Sequence, residues 1–129
     1  MLLLVYGTLK RGFRNAALLA SAKFIGDAVT QDAFVMLSVG GAYPAVSDVR
    51  AEAPVAGEVY KVGPETLRAC DRLEGHPHYY RRRLVAARVA ERERRVWMYI
   101  IRSARPCLPP DADEQIGLRN GCFQWRKTR

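Results

Sequence analysis

The chain opens on an apolar run, Leu2 to Tyr6 (LLLVY), closed by Gly7. A run this short, ended by a glycine, predicts a buried strand. Asn15 to Ala22 (NAALLASA) predicts a short helix with Asn15 as its N-cap. Phe24 to Val29 and Ala33 to Leu37 predict two more strands. Gly40-Gly41 then breaks the pattern, and Tyr43-Pro44 follows with no element predicted over it. Val55 to Val62 (VAGEVYKV) predicts a further strand, in which Gly57 marks a bulge or a close backbone approach. Pro64 suits the first position of a helix that runs to Glu74 and stops at Gly75. Arg82 to Ala90 and Arg95 to Ile101 predict a hairpin, with the mixed-charge group Glu91 to Arg95 at its tip. The segment 106–129 is rich in proline, glycine and acidic residues and predicts a loop-rich tail. Many strands and two short helices predict an α+β fold, a single domain over 1–129 with a curved or barrel-like sheet.

Composition supports a packed core. The 129 residues suit one domain, and 49% of them are hydrophobic. The opening apolar run is too short for a signal segment or a membrane span, which predicts a soluble, cytoplasmic protein. Cys70, Cys107 and Cys122 are odd in number, with no CxxC and no Cys/His cluster. They read as free thiols, and no metal site is expected. The net charge of +8 admits a nucleic-acid surface, but the basic residues are spread along the chain. Their densest groups are Arg81 to Arg83, Glu91 to Arg95 and Arg126 to Arg129. With neither an RNA-recognition aromatic motif nor a helix-turn-helix, they read as solvated surface, and nucleic acid is not the expected partner.

The segment from Pro64 to Arg82 (PETLRACDRLEGHPHYYRR) carries the candidate chemistry. At about 100° per residue, with Leu67 at zero, Cys70 falls near ~300°, Leu73 near ~240° and Ala69 near ~200°. Glu65, Arg68 and Arg72 gather between ~100° and ~160° on the wet face. Glu74 falls near ~340°, on the apolar side. It also lies in the last turn, where the helix dipole disfavours an anion, and Asp71 is three residues away. All three effects favour the protonated acid, as a general acid/base near neutral pH requires. The alternative is a helix-end glutamate paired with Arg81 or Arg82.

Other candidates are less defined. His76 and His78 flank Pro77 and could titrate or bind a metal, though two alternate histidines make a poor ligand set. No GxSxG marks a nucleophilic serine, and no cysteine sits in an activating context. Val5 to Gly12 (VYGTLKRG) leaves the first strand through a loop whose successive amides could cradle an anion. It is not a Walker loop, and a plain turn remains the other reading.

Taken in order, VYGTLKRG, AYPAV (Ala42 to Val46), GEVYKV (Gly57 to Val62) and CDRLEGHPHYYRR (Cys70 to Arg82) resemble the gamma-glutamylcyclotransferase-like family, including the gamma-glutamylamine cyclotransferases. The resemblance covers roughly the first hundred residues. It implies a small mixed β-barrel with flanking short helices. It implies that Tyr6, Gly7, Thr8 and Leu9 hold a gamma-glutamyl group, with Tyr43 and Tyr80 at the pocket, and that Glu74 is the acid/base. Tyr80 and Arg82 match the family's Y-x-R and are expected to build the pocket. Asn120 to Phe123 matches the family's closing segment only loosely. The implied reaction releases 5-oxoproline and an amine from a small gamma-glutamyl substrate, without a cofactor. The competing expectation is a non-catalytic binding module with a basic surface for an acidic partner. On the catalytic reading, Gly7→Val is expected to block the substrate and leave the fold mostly intact. The leaving amine and the oligomeric state are left unspecified.

Overall fold

The computed structural model describes residues 1–104 and 107–127; Pro106, Thr128 and Arg129, which the tail and the last basic group include, lie outside the described residues. Along the chain run β1 (Leu2–Val5), β2 (Lys23–Thr30), β3 (Val35–Val39), β4 (Tyr43–Ser47), β5 (Ala56–Lys61), α1 (Pro64–Glu74), β6 (Tyr80–Val89), β7 (Arg92–Ile101), β8 (Ile116–Arg119) and β9 (Cys122–Trp125). Single 3₁₀ turns occupy Ala16–Leu19 and Pro110–Ala112. The order β1-β5-β2-β6-β7 closes a five-stranded barrel. Its pairs are antiparallel except β1 with β7, which run parallel and seal the ring at Leu3↔Trp97 and Leu4↔Met98. The expected α+β barrel is therefore the fold.

Two apolar cores explain the unbroken run at the start of the chain. Leu4 and Tyr6 point into one cluster with Val59, Val96 and Met98, while Leu3 and Val5 join a second with Leu67, Cys70, Tyr80 and Tyr99. A strand buried on both faces has no polar alternation to show. The second cluster seats the helix: α1 lies on the barrel through Leu67 and Cys70.

The predicted close approach at Gly57 is real. A Cβ there would meet the Val5 carbonyl oxygen at 2.5 Å and Leu4 Cδ2 at 2.8 Å. Gly75 ends α1 in the left-handed region (φ 65°), and the N–H of His76 bonds the Asp71 carbonyl at 2.9 Å.

Four expectations are corrected. The Asn15 to Ala22 helix is only the 3₁₀ turn Ala16–Leu19, and Asn15 does not cap it; its amide donates to Thr8 Oγ1 at 2.9 Å. Tyr43-Pro44 begins a strand, β4, which pairs with β3 around Gly40-Gly41. The β6–β7 turn is the two-residue Ala90-Glu91, both with positive φ, so Arg92 to Arg95 belong to β7. The tail holds a further hairpin, β8–β9, around Asn120-Gly121. Ile116, Phe123 and Trp125 from that hairpin fill the first core cluster. Among the described residues, no helix is long and apolar enough to cross a membrane.

Candidate active site

Three local features converge at one end of the barrel. β1 delivers the loop from Tyr6 to Leu9, α1 delivers Glu74 in its final turn, and β4 delivers Tyr43 and Pro44. Together with Tyr80 of β6 and Tyr99 of β7, they line a cavity of ≈ 30 Å³. An outer cavity of ≈ 280 Å³ shares Thr8, Tyr43, Glu74 and Tyr80 with it and adds Arg14, Asn15, Arg72, Leu73, Gly75 and Tyr79. All seven residues expected at the site from the sequence thus come together: Glu74, Tyr6, Gly7, Thr8, Leu9, Tyr43 and Tyr80.

The loop is held at both ends. The Lys10 amide donates to the Gly7 carbonyl at 3.1 Å, and the Asn15 amide to the Thr8 carbonyl at 2.9 Å. Buried Lys10 sends its Nζ to the Trp125 carbonyl at 2.7 Å, tying the loop to β9. The N–H groups of Gly7, Thr8 and Leu9 bond no other group among the described residues, although all three residues line the cavity. Amides fixed in place but unpaired are what an anion cradle requires.

The tyrosine hydroxyls are largely committed to the scaffold. Tyr6 donates to the Tyr99 carbonyl at 2.7 Å and accepts from the Val46 amide at 3.2 Å. Tyr80 donates to the Pro44 carbonyl at 2.9 Å, fixing the β4 wall. Tyr43 and Tyr79 bring their hydroxyls within 3.1 Å across the mouth.

Glu74 differs from all of these. It is half-buried and, among the described residues, its side chain forms no ion pair or hydrogen bond. Burial pushes its carboxyl up to about 7. Of the three effects inferred from the helix, desolvation by burial is the cause of this rise. Asp71 does not crowd Glu74, because it accepts from Arg82 Nε at 2.9 Å, Arg82 Nη2 at 3.2 Å and the Tyr99 hydroxyl at 2.6 Å. Burial pushes the Asp71 carboxyl up, but the hydrogen bonds from Arg82 and Tyr99 outweigh it and hold it below its ordinary value. Arg82, a possible partner of Glu74 on the sequence, is therefore spent on Asp71 and also stacks over Trp97. The apolar arc is narrower than its spacing implied: Leu73 is 43% exposed and lines the outer cavity.

The shift at Glu74 carries a stability consequence. Below about 4.5, its ordinary value, folded and unfolded chains both keep the proton and the residue is neutral in the balance. Between there and about 7 the unfolded chain ionises first, so stability falls as pH rises, and the loss is complete above the folded value. We expect the Glu74 carboxyl carbon to titrate in NMR with a midpoint near 7. A midpoint in the ordinary glutamate range would mean that water reaches the acid freely.

Gly7 has a second role that the sequence hid. A Cβ there would meet Pro44 Cγ at 2.7 Å and Cδ at 2.9 Å, so the expectation that Gly7→Val spares the fold does not hold. Any side chain would push the β4 wall before it met a substrate. Tyr99, absent from the sequence-level set, joins Asp71 to the loop through its hydroxyl and its carbonyl. Strand periodicity marks it only as a core position.

His76 uses Nδ1 to accept from the Arg82 amide at 3.2 Å, a structural contact, and His78 is exposed. Among the described residues, no three His, Cys, Asp or Glu side chains gather as metal ligands. Burial pushes the Cys70 thiol up to about 11, which suits packing and not nucleophilic attack. No residue of the β8–β9 hairpin lines the Glu74 cavity, so the loosely matching Asn120 to Phe123 segment does not form its wall.

A closed five-stranded barrel thus carries one cavity in which Glu74 is the single acidic lining residue, beside a glycine-containing loop. The chain belongs to the gamma-glutamyl cyclotransferase, AIG2-like family, which it matches over residues 3–124. It is 38% identical over 97 residues to a Methanocaldococcus jannaschii protein named "Putative gamma-glutamylcyclotransferase", covering 74% of this chain and 79% of that one. It is 35% identical over 96 residues to a gamma-glutamylaminecyclotransferase of Rattus norvegicus, covering 69% of this chain and 64% of that protein. The fold matches the crystal structure of an AIG2-like protein from Mus musculus with a TM-score of 0.76 at 25% identity, over 99% of this chain and 97% of that one.

Proposed function

We propose that this protein is a cyclotransferase that converts a gamma-glutamyl amine or peptide into 5-oxoproline and a free amine, with Glu74 as acid/base. The observation that carries the reading is an unpaired carboxyl, raised to about 7, beside unpaired loop amides in one cavity. A gamma-glutamyl amide contains its own nucleophile, the alpha-amine, at five-ring distance from the gamma-carbonyl. The protein folds the substrate so that the two meet, which replaces an encounter with proximity. The Glu74 carboxylate takes a proton from the alpha-ammonium, and the nitrogen adds to the gamma-carbonyl. Amides of Gly7 to Leu9 receive the oxyanion. The carboxylic acid then gives its proton to the leaving nitrogen as the old C–N bond breaks, and the ring nitrogen passes its second proton to the departing amine, which leaves as an ammonium. Near neutral pH an acid of this strength exists in both forms, so one group serves both steps.

Space adds a condition. The inner cavity admits a water but not a whole glutamyl group, so a bound substrate extends into the adjoining outer cavity of ≈ 280 Å³. The test is product analysis by mass spectrometry with a panel of gamma-glutamyl amines and dipeptides. Stoichiometric 5-oxoproline and amine are expected. Absence of 5-oxoproline across the panel, with the protein folded, refutes the reading.

A further inference from the structure

We propose that Asn15 is a positioning residue that turns the Thr8 hydroxyl into an oriented hydrogen-bond donor for the substrate. The inference rests on the cyclotransferase reading and adds to it a donor beyond the loop amides, with the residue that aims it. Thr8 lines both the inner and the outer cavity, together with Glu74, Tyr43 and Tyr80, so it stands where the two meet. Asn15 holds Thr8 twice. Its backbone amide donates to the Thr8 carbonyl at 2.9 Å, and its side-chain Nδ2 donates to Thr8 Oγ1 at 2.9 Å. Asn15 is itself fixed, because its carbonyl accepts from the Leu18 amide at 3.1 Å where the 3₁₀ turn begins. An asparagine before a helical turn ordinarily caps it with its side-chain oxygen. Here no capping bond forms, and the side chain reaches back seven residues to Thr8.

The direction of the side-chain bond decides what the hydroxyl can do. A threonine hydroxyl has one hydrogen to give and two lone pairs to receive with. The Asn15 NH₂ group can only donate, so it occupies a lone pair and leaves the hydrogen free. Among the described residues Thr8 Oγ1 has no other hydrogen-bond partner. The hydrogen is therefore left for a ligand, and the cavities that Thr8 lines are where a ligand meets it. A hydroxyl that already receives a bond is also a better donor, since linked hydrogen bonds polarise one another. Its acceptor is the gamma-carbonyl oxygen of the substrate. That oxygen gains charge as the alpha-amine adds, so the bond strengthens in the transition state.

The test reverses the bond while keeping its shape. In Asn15→Asp a carboxylate replaces the donor, so the Thr8 hydroxyl donates to it and is withdrawn from the substrate. The backbone amide of residue 15 keeps its hold on the Thr8 carbonyl. Thr8→Val removes the hydroxyl at nearly constant volume. With a gamma-glutamyl amine that the parent turns over, kcat is expected to fall about 10²-fold in Thr8→Val and in Asn15→Asp, the effect of losing one oxyanion donor, while KM changes far less. Thr8→Ser recovers most of the rate that Thr8→Val loses. The double variant Thr8→Val/Asn15→Asp is expected to be no slower than Thr8→Val alone, because two residues that act as one unit do not add. A loss caused only by the new charge in the outer cavity persists in the Thr8→Val background and makes the double variant slower by the product of the two effects. That product, or an Asn15→Asp enzyme at the parent's kcat, overturns the role of Asn15 and leaves the cyclotransferase reading intact. No 5-oxoproline from the parent with any gamma-glutamyl amine overturns both. Rates are compared below the melting temperature of each variant, found by circular dichroism, so that differences come from folded protein.

Discussion

Replacing Glu74 by Gln is expected to lower kcat by ~10² to ~10⁴-fold, the usual contribution of a positioned acid/base, while KM changes much less. Glutamine keeps the shape of the side chain but cannot exchange the proton. The same variant is expected to be more stable than the parent at pH 8, on the order of 1–3 kcal/mol, because a carboxyl raised to about 7 is a poorly solvated charge there. The gain vanishes at pH 4, where the parent acid is already neutral. Rate and melting temperature from one preparation decide the matter. A folded variant with near-normal turnover removes Glu74 from the chemistry, and a variant that melts lower at pH 8 shows that the carboxylate had a stabilising partner.

Gly57→Val is expected to damage stability and activity together. The added carbons collide with the Val5 carbonyl, a backbone atom that cannot swing aside, and with Leu4. The β1–β5 seam must part, with a penalty on the order of 3 kcal/mol. Val5 leads directly into the Tyr6 to Leu9 loop, so the amides move with the seam. Gly63→Ala makes a control: nothing lies within 4 Å of a Cβ there, and φ is −84°. Chemical denaturation should show the control within ~0.5 kcal/mol of the parent. Equal stability of Gly57→Val and the parent would mean that the seam tolerates a gap.

Much of this site was visible in the sequence because the helix signals were local. Pro64 and Gly75 bracket α1, and their spacing puts Glu74 on the apolar side of the helix; the structure has it lining a cavity with Leu4 and Leu9. Leu73 was misplaced by the same arithmetic, since periodicity gives a direction but not what lies there. β4 escaped because Pro44 and the paired glycines read as loop, although the hairpin accommodates both. The β8–β9 hairpin escaped despite Asn120-Gly121, a strong turn signal overshadowed by the surrounding polar residues. The fate of Asp71 was not legible: its partners lie 11 and 28 residues away, and only the closed barrel brings them to it. Likewise Gly7 shows its packing role only when Pro44 stands opposite.

The parallel contact between β1 and β7 also sets an order of events during synthesis. The Tyr6 to Leu9 loop is made some ninety residues before the Tyr99 carbonyl that anchors the Tyr6 hydroxyl and before Trp97, which pairs with Leu3 to close the ring. On the ribosome, a nascent chain that has finished α1 already carries Glu74 and the loop but has no closed ring to hold them apart or together. Contacts of such long sequence separation slow folding, because the intervening chain must be ordered before they form. Until β7 emerges, β1 and β6 present unpaired edges beside an apolar face, the condition under which chains of this kind associate with one another or with chaperones.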